Sequence, residues 1–135
     1  MLVEGSCHCG EIGFTAEVDP HTVTICHCSD CQTMSGTAFR ANVSCRADRF
    51  TLAQGEPRTY IKVADSGARR SMAFCGTCGT QIYARDADHP EAYSLRTGVL
   101  KERAAFLPAK QIRLRTAVTW ARGLLDVPGF ETDPH

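Results

Sequence analysis

Seven of the eight cysteines fall in three tight clusters, Cys7-x-Cys9, Cys26-x-Cys28-x-x-Cys31 and Cys75-x-x-Cys78-Gly79. Thiols spaced this closely suit a metal better than a disulfide framework. A lone CxxC redox pair would account for two of the eight cysteines and leave the others without a role. Soft sulfur donors select zinc, Cu(I) or iron–sulfur clusters over hard cations, and zinc takes four such ligands in a tetrahedron. The CxxCG turn lets Cys75 and Cys78 face one ion, and Gly76 and Gly79 are expected to supply positive φ there. Cys7 and Cys9 joined to Cys75 and Cys78 make a closed four-cysteine site that staples distant parts of the chain. Such a site contributes on the order of 10 kcal/mol to folding.

Cys26, Cys28 and Cys31 then remain. Three protein ligands and an open fourth position are the pattern of catalytic zinc. A rival grouping puts these three with one other cysteine in a single closed site. Cys45, the spare, reads as inert packing or as a fourth ligand closing the second site. Three thiolates on Zn²⁺ leave a single net negative charge, so the ion activates water weakly and hydrolysis is disfavoured. An incoming thiol fits better, because metal binding deprotonates it.

The rest of the chain must position these sulfurs. It has 135 residues, 43% apolar and 22% charged, with a formal net charge of zero. That is one globular domain, residues 1–135, and neither a disordered nor a membrane-spanning chain. The balanced charge counts against a nucleic-acid binder. No basic and apolar leader is visible at the N-terminus, so the expected compartment is the cytoplasm, where thiols stay reduced. Alternation and β-branched runs predict strands at residues 11–18, 22–25, 38–43, 70–74, 81–84, 91–97, where the alternation is weak, and 111–115. Residues 50–53 and 59–63 flank Gln54-Gly55-Glu56-Pro57 and could pair as a hairpin. Residues 32–36 read as a loop or single helical turn, and only residues 119–125 have a helical pattern. The expectation is an all-β fold with its cysteines at strand ends.

The order of Gly5-Ser6-Cys7-His8-Cys9-Gly10, Cys26-His27-Cys28-Ser29-Asp30-Cys31, Ser35-Gly36-Thr37-Ala38-Phe39 and Phe74-Cys75-Gly76-Thr77-Cys78-Gly79 resembles the glutathione-dependent formaldehyde-activating enzyme family, which includes centromere protein V. Thr97-Gly98-Val99-Leu100, Trp120 and Pro128-Gly129-Phe130-Glu131 extend the match over nearly the whole chain. The resemblance implies a β-tent of stacked antiparallel sheets. It also implies structural zinc at Cys7, Cys9, Cys75 and Cys78, and a working zinc site at Cys26, Cys28 and Cys31. The implied activity is carbon–sulfur lyase chemistry joining formaldehyde to glutathione as S-hydroxymethylglutathione. Two positions depart from many members. Gln111-Ile112 stands where His-Ile is common, and Gln32-Thr33-Met34 lacks the arginine that often follows the third working cysteine. Both bear on the substrate rather than the fold.

Other residues have plainer readings. His8 and His27 point away from the metal if their stretches are extended. His89-Pro90-Glu91 matches H-x-E of zinc deaminases, but no P-C-x-x-C follows it. Arg69, Arg70, Lys110, Arg113 and Arg115 are candidates for substrate carboxylates or a solvated face. Ser35-Gly36 is a pocket or turn element, and Trp120 is expected in the core. The leading expectation is a small zinc enzyme with a small-molecule thiol substrate, no membrane partner and an open oligomeric state that could be a homodimer. The rivals are a non-catalytic zinc module binding protein or nucleic acid, and a zinc store or thiol-redox sensor.

Overall fold

Short β-branched and aromatic runs, punctuated by turn residues, build ten strands in this computed structural model, which describes residues 1–134. They are β1 (Leu2–Ser6), β2 (Gly13–Glu17), β3 (Val23–Cys26), β4 (Arg40–Arg46), β5 (Phe50–Gln54), β6 (Arg58–Val63), β7 (Arg69–Phe74), β8 (Gln81–Asp86), β9 (Ala92–Arg96) and β10 (Pro108–Ile112). One helix, α1 (Ser29–Ser35), interrupts them, and the remaining helical pieces are short 3₁₀ turns. The strands form a three-stranded sheet in the order β1-β2-β5 and a seven-stranded sheet in the order β10-β3-β4-β9-β8-β7-β6. Every pairing is antiparallel except β10 with β3. The two sheets stack, as the expected all-β tent requires.

Strand alternation assigns the two faces of the large sheet opposite tasks. Val23 and Ile25 of β3, Val43 and Cys45 of β4, Leu95 of β9, and Ala73 and Tyr83 of β7 and β8 pack against Val3, Phe14 and Ala16 of the small sheet. Phe50 bridges the layers, with its ring 5.1 Å from Phe14, 4.5 Å from Tyr93 and 5.4 Å from Tyr83. The opposite face carries Thr24 and Cys26, Arg40 and Asn42, and Ser94 and Arg96.

This stacking overrides the expected hairpin. β5 pairs with β2 in the small sheet, while β6 pairs with β7 in the large one. Phe50 gains more from aromatic partners in both layers than a local turn offers. Gly55 makes the crossing with φ +76, and a Cβ there would drive into the Glu11 carbonyl. β1 went unrecognised, because its five residues present only Val3 as a buried apolar side chain. β10 ends at Ile112, earlier than expected, because Arg113 takes a left-handed φ of +60 and a 3₁₀ turn follows. Trp120 is 58% exposed on a 3₁₀ segment, Thr119–Asp126, rather than in the core. No helix among the described residues is long and apolar enough to cross a membrane.

Gly5 lies opposite Phe14 in the β1–β2 register, and a Cβ there would enter the phenyl ring. Gly5→Ala is expected to cost about 1–3 kcal/mol through overpacking. Urea unfolding of the metal-loaded protein measures this, and an unchanged midpoint would refute it.

Candidate metal centres and cleft

Two reverse turns meet to make the first cluster. β1 delivers Cys7 and its following turn delivers Cys9. β7 delivers Cys75 and the loop to β8 delivers Cys78. All four sulfurs lie within 4.8 Å of one another, with Cys7–Cys9 at 3.6 Å and Cys9–Cys75 at 3.8 Å. Tetrahedral zinc with Zn–S bonds of about 2.3 Å would hold sulfurs about 3.8 Å apart, so the donor set fits the ion. Backbone amides of Ile12 and Cys78 donate to Cys7 Sγ and Cys75 Sγ at 3.2 and 3.5 Å, as thiolates require. The Thr80 hydroxyl, 3.2 Å from Cys78 Sγ, and the amides of Cys9 and Thr80 pull the Cys78 thiol down to about 5. Gly79 has the expected positive φ of +79. Gly76 does not. Its missing side chain instead admits Arg58, whose Cδ would lie 2.5 Å from a Cβ.

The second cluster joins the end of β3 to α1. Cys26 closes the strand, Cys28 caps the helix, and Cys31 sits buried in its first turn. Cys28 Sγ accepts from the Cys31 amide at 3.3 Å. The three sulfurs lie within 4.8 Å of one another, and no other cysteine, histidine or carboxylate among the described residues joins them. Burial, then the neighbouring Cys28 and Cys26 sulfurs, pushes the Cys31 thiol up to about 12. Three thiolates this close need a cation before all can ionise, and a zinc ion would supply that charge. Burial also opposes the Cys28 thiolate. The Cys31 amide, the neighbouring thiols and the Lys62 ammonium outweigh it and hold Cys28 below the ordinary thiol value.

Cys45 belongs to neither cluster. It is 2% exposed on the core face, and its thiol donates to the carbonyls of Arg46 and Glu17 at 3.3 and 3.7 Å. His8 is exposed, with its amide bonded to Thr80 Oγ1. His27 is buried and turned away from the sulfurs. Its Nε2 lies 2.8 Å from Gln111 Oε1, and its ring is 5.7 Å from Phe39. The two unusual glutamines thus have structural work. Gln111 partners His27, and Gln32 Nε2 donates to the carbonyls of His27 and Thr116 at 2.9 and 3.0 Å. Together they tie the cysteine loop to β10 and to the chain just after it.

The three cysteines open into a cleft of about 580 Å³ along the polar face of the large sheet. Of the basic residues expected to meet carboxylates, Arg70, Lys110 and Arg113 line it, whereas Arg69 and Arg115 do not. Arg69 pairs with Asp88 at 3.2 Å. Ser35 lines a neighbouring cleft instead. Arg40, Arg96 and Lys62 also line the cysteine cleft and were missed by the sequence reading. A signal was present, since Arg40 occupies the polar phase of the alternation over residues 38–43 and Arg96 that of the weaker alternation over residues 91–97. Lys62 is held by Asp30 at 2.9 Å. Burial, then the Arg40 charge, lowers the Arg96 pKa to about 9.

Fold and clusters together define a zinc-competent β-tent protein. The chain belongs to the glutathione-dependent formaldehyde-activating enzyme family, whose model matches residues 2–116. A curated Halomonas elongata protein named for the same family is 35% identical over 97 residues, a stretch covering 67% of this chain and 60% of that protein. The chain therefore spans about 60% of that relative's length. A crystal structure of a Rhodobacter sphaeroides protein superposes with a TM-score of 0.62 over 80% of this chain and 98% of its own, at 19% identity, and so shares the fold.

Gln111→Leu should leave the buried His27 ring without its hydrogen-bond partner. The expected loss is about 1–3 kcal/mol in urea unfolding, and a neutral result would remove the role assigned to Gln111.

Proposed function

We propose that this chain is a zinc-dependent enzyme of the carbon–sulfur lyase type, acting on glutathione or a related thiol–aldehyde adduct. Cys7, Cys9, Cys75 and Cys78 would hold a structural zinc, and Cys26, Cys28 and Cys31 a second, working one. The observation carrying this reading is the three-cysteine cluster itself, which lacks a fourth protein donor among the described residues and faces a cleft. Bound zinc supplies the positive charge that keeps an incoming thiol ionised near neutral pH.

The chain's own groups account for the rest. Burial opposes the Cys28 thiolate, but the Cys31 amide aimed at Cys28 Sγ favours it, and the Lys62 ammonium adds its field. Gln32, Gln111 and Thr116 fix the loop bearing Cys28 against the end of β10 and the segment after it. Thr24, Asn42, Ser44 and Ser94 give the cleft polar walls for a peptide-like thiol. In the proposed reaction the thiolate sulfur attacks the formaldehyde carbon and a C–S bond forms. The C=O π pair moves to oxygen, which takes up the proton released by the thiol. The reverse reaction cleaves the same bond.

Exchange between formaldehyde, glutathione and S-hydroxymethylglutathione, followed by NMR on the zinc-loaded protein, tests the proposal. Catalysis should fall more than about 100-fold in Cys31→Ser, beyond the usual cost of losing an outer partner of a metal ligand. It should persist in Cys45→Ala. Equal rates in wild type and Cys31→Ser, or none above buffer, would reject it.

A further inference from the structure

We propose that Arg40 and Arg96 form an oxyanion receptor within the cysteine cleft, so that the ligand it takes is a thiol bearing a carboxylate, bound in preference to uncharged or cationic thiols. The thiol half of this inference rests on the function proposed above. The anion half stands on its own observations.

Arg40 lies opposite Cys26 in the β3–β4 register, and Arg96 lies opposite Asn42 in the β4–β9 register. Both arginines therefore share the sheet face of the cysteine cluster. Each is only 7% exposed. Arg96 Nη1 donates to Asn42 Oδ1 at 2.7 Å. Arg40 Nη2 and the Nε and Nη2 of Arg96 are buried with no hydrogen-bond partner. Two guanidiniums removed from water, close enough to disfavour one another, and with orphaned donors are a costly arrangement. An apolar pair would fill the same space at less cost, so the arrangement points to a ligand. A guanidinium presents a planar fork of donors that matches a carboxylate in two parallel bonds.

The charge inventory gives the same answer. Arg40, Lys62, Arg70, Arg96, Lys110 and Arg113 line the cleft, and no aspartate or glutamate does. Among the described residues, only Lys62 of these six has a carboxylate within ion-pair distance. A zinc ion with three thiolates would offset a single positive charge and leave a clear surplus. Arg40 and Arg96 also border a neighbouring cleft of about 540 Å³ beside Ser35 and Gln81. The cysteine sulfurs, Lys62 and Arg70 lie on the first cleft alone, which places the anion there.

Calorimetric titration of the zinc-loaded protein with 3-mercaptopropionate, 2-mercaptoethanol, cysteamine and propionate separates the two halves. 3-Mercaptopropionate should bind at least about tenfold more tightly than 2-mercaptoethanol, and cysteamine least of all. Added salt should erode the affinity of the mercapto-acid only. In Arg40→Gln and Arg96→Gln that advantage should shrink to under about threefold, with zinc content and 2-mercaptoethanol binding unchanged. Equal affinity for the charged and uncharged thiols in the wild type would overturn the receptor, as would an advantage that survives both substitutions. If a glutamine variant fails to fold, Arg40→Lys and Arg96→Lys, which keep the charge but lose the planar fork, should show the same shrinking of the advantage. Propionate binding as tightly as 3-mercaptopropionate, and lost in Arg96→Gln, would keep the anion receptor and reject the thiol reading instead.

Discussion

Sulfur crowding is the constraint on which the rest of this molecule depends. Seven thiols stand in two groups whose sulfurs lie within 4.8 Å of one another. Thiolates at that separation repel, and burial together with the neighbouring sulfurs pushes Cys31 and Cys9 up to about 12. For Cys9 the Glu11 amide works the other way, but burial and the three neighbouring sulfurs outweigh it. The backbone amides aimed at Cys7, Cys28 and Cys75 are arranged for the ionised form. A divalent ion would reconcile the two demands. The four-cysteine group then ties the end of β1 to the β7–β8 turn, joining the small sheet to the large one far along the chain.

The large sheet converts this constraint into a site. One of its faces is the core, and the other carries Cys26, Arg40, Asn42 and Arg96 in adjacent strands. A β-sheet gives such a division at no cost in chain length, because successive side chains point oppositely. The cleft is therefore the back of the core rather than a groove between domains. Its cations are placed by the same register that places Val43 and Leu95 beneath them.

The cysteine groups were legible in the sequence because ligand spacing is local and chemically narrow. Most strands were legible for a similar reason, since alternation is a short-range signal. What escaped notice depends on contacts distant in sequence. The hairpin expected across Gly55 gave way because Phe50 finds Phe14, Tyr83 and Tyr93 in two sheets. Trp120 was expected inside on size alone, and nothing in its neighbours told otherwise. Arg40 and Arg96 drew no attention, since a charged residue on the polar phase of a strand is ordinary. Only the pairing of β4 with β3 and β9 brings them to the cysteines. The roles of Gln32 and Gln111 likewise required knowing that the end of β10 returns alongside β3.

The central claim is that the second cluster holds zinc through three sulfurs and leaves one place for an incoming thiol. Zinc-edge X-ray absorption on anaerobically loaded protein, before and after glutathione is added, tests it most directly. The account predicts about 3.5 sulfurs per zinc on average, the mean of a four-sulfur and a three-sulfur site, rising towards four with glutathione. Four sulfurs per zinc from the outset, or no change when the thiol is added, would contradict it.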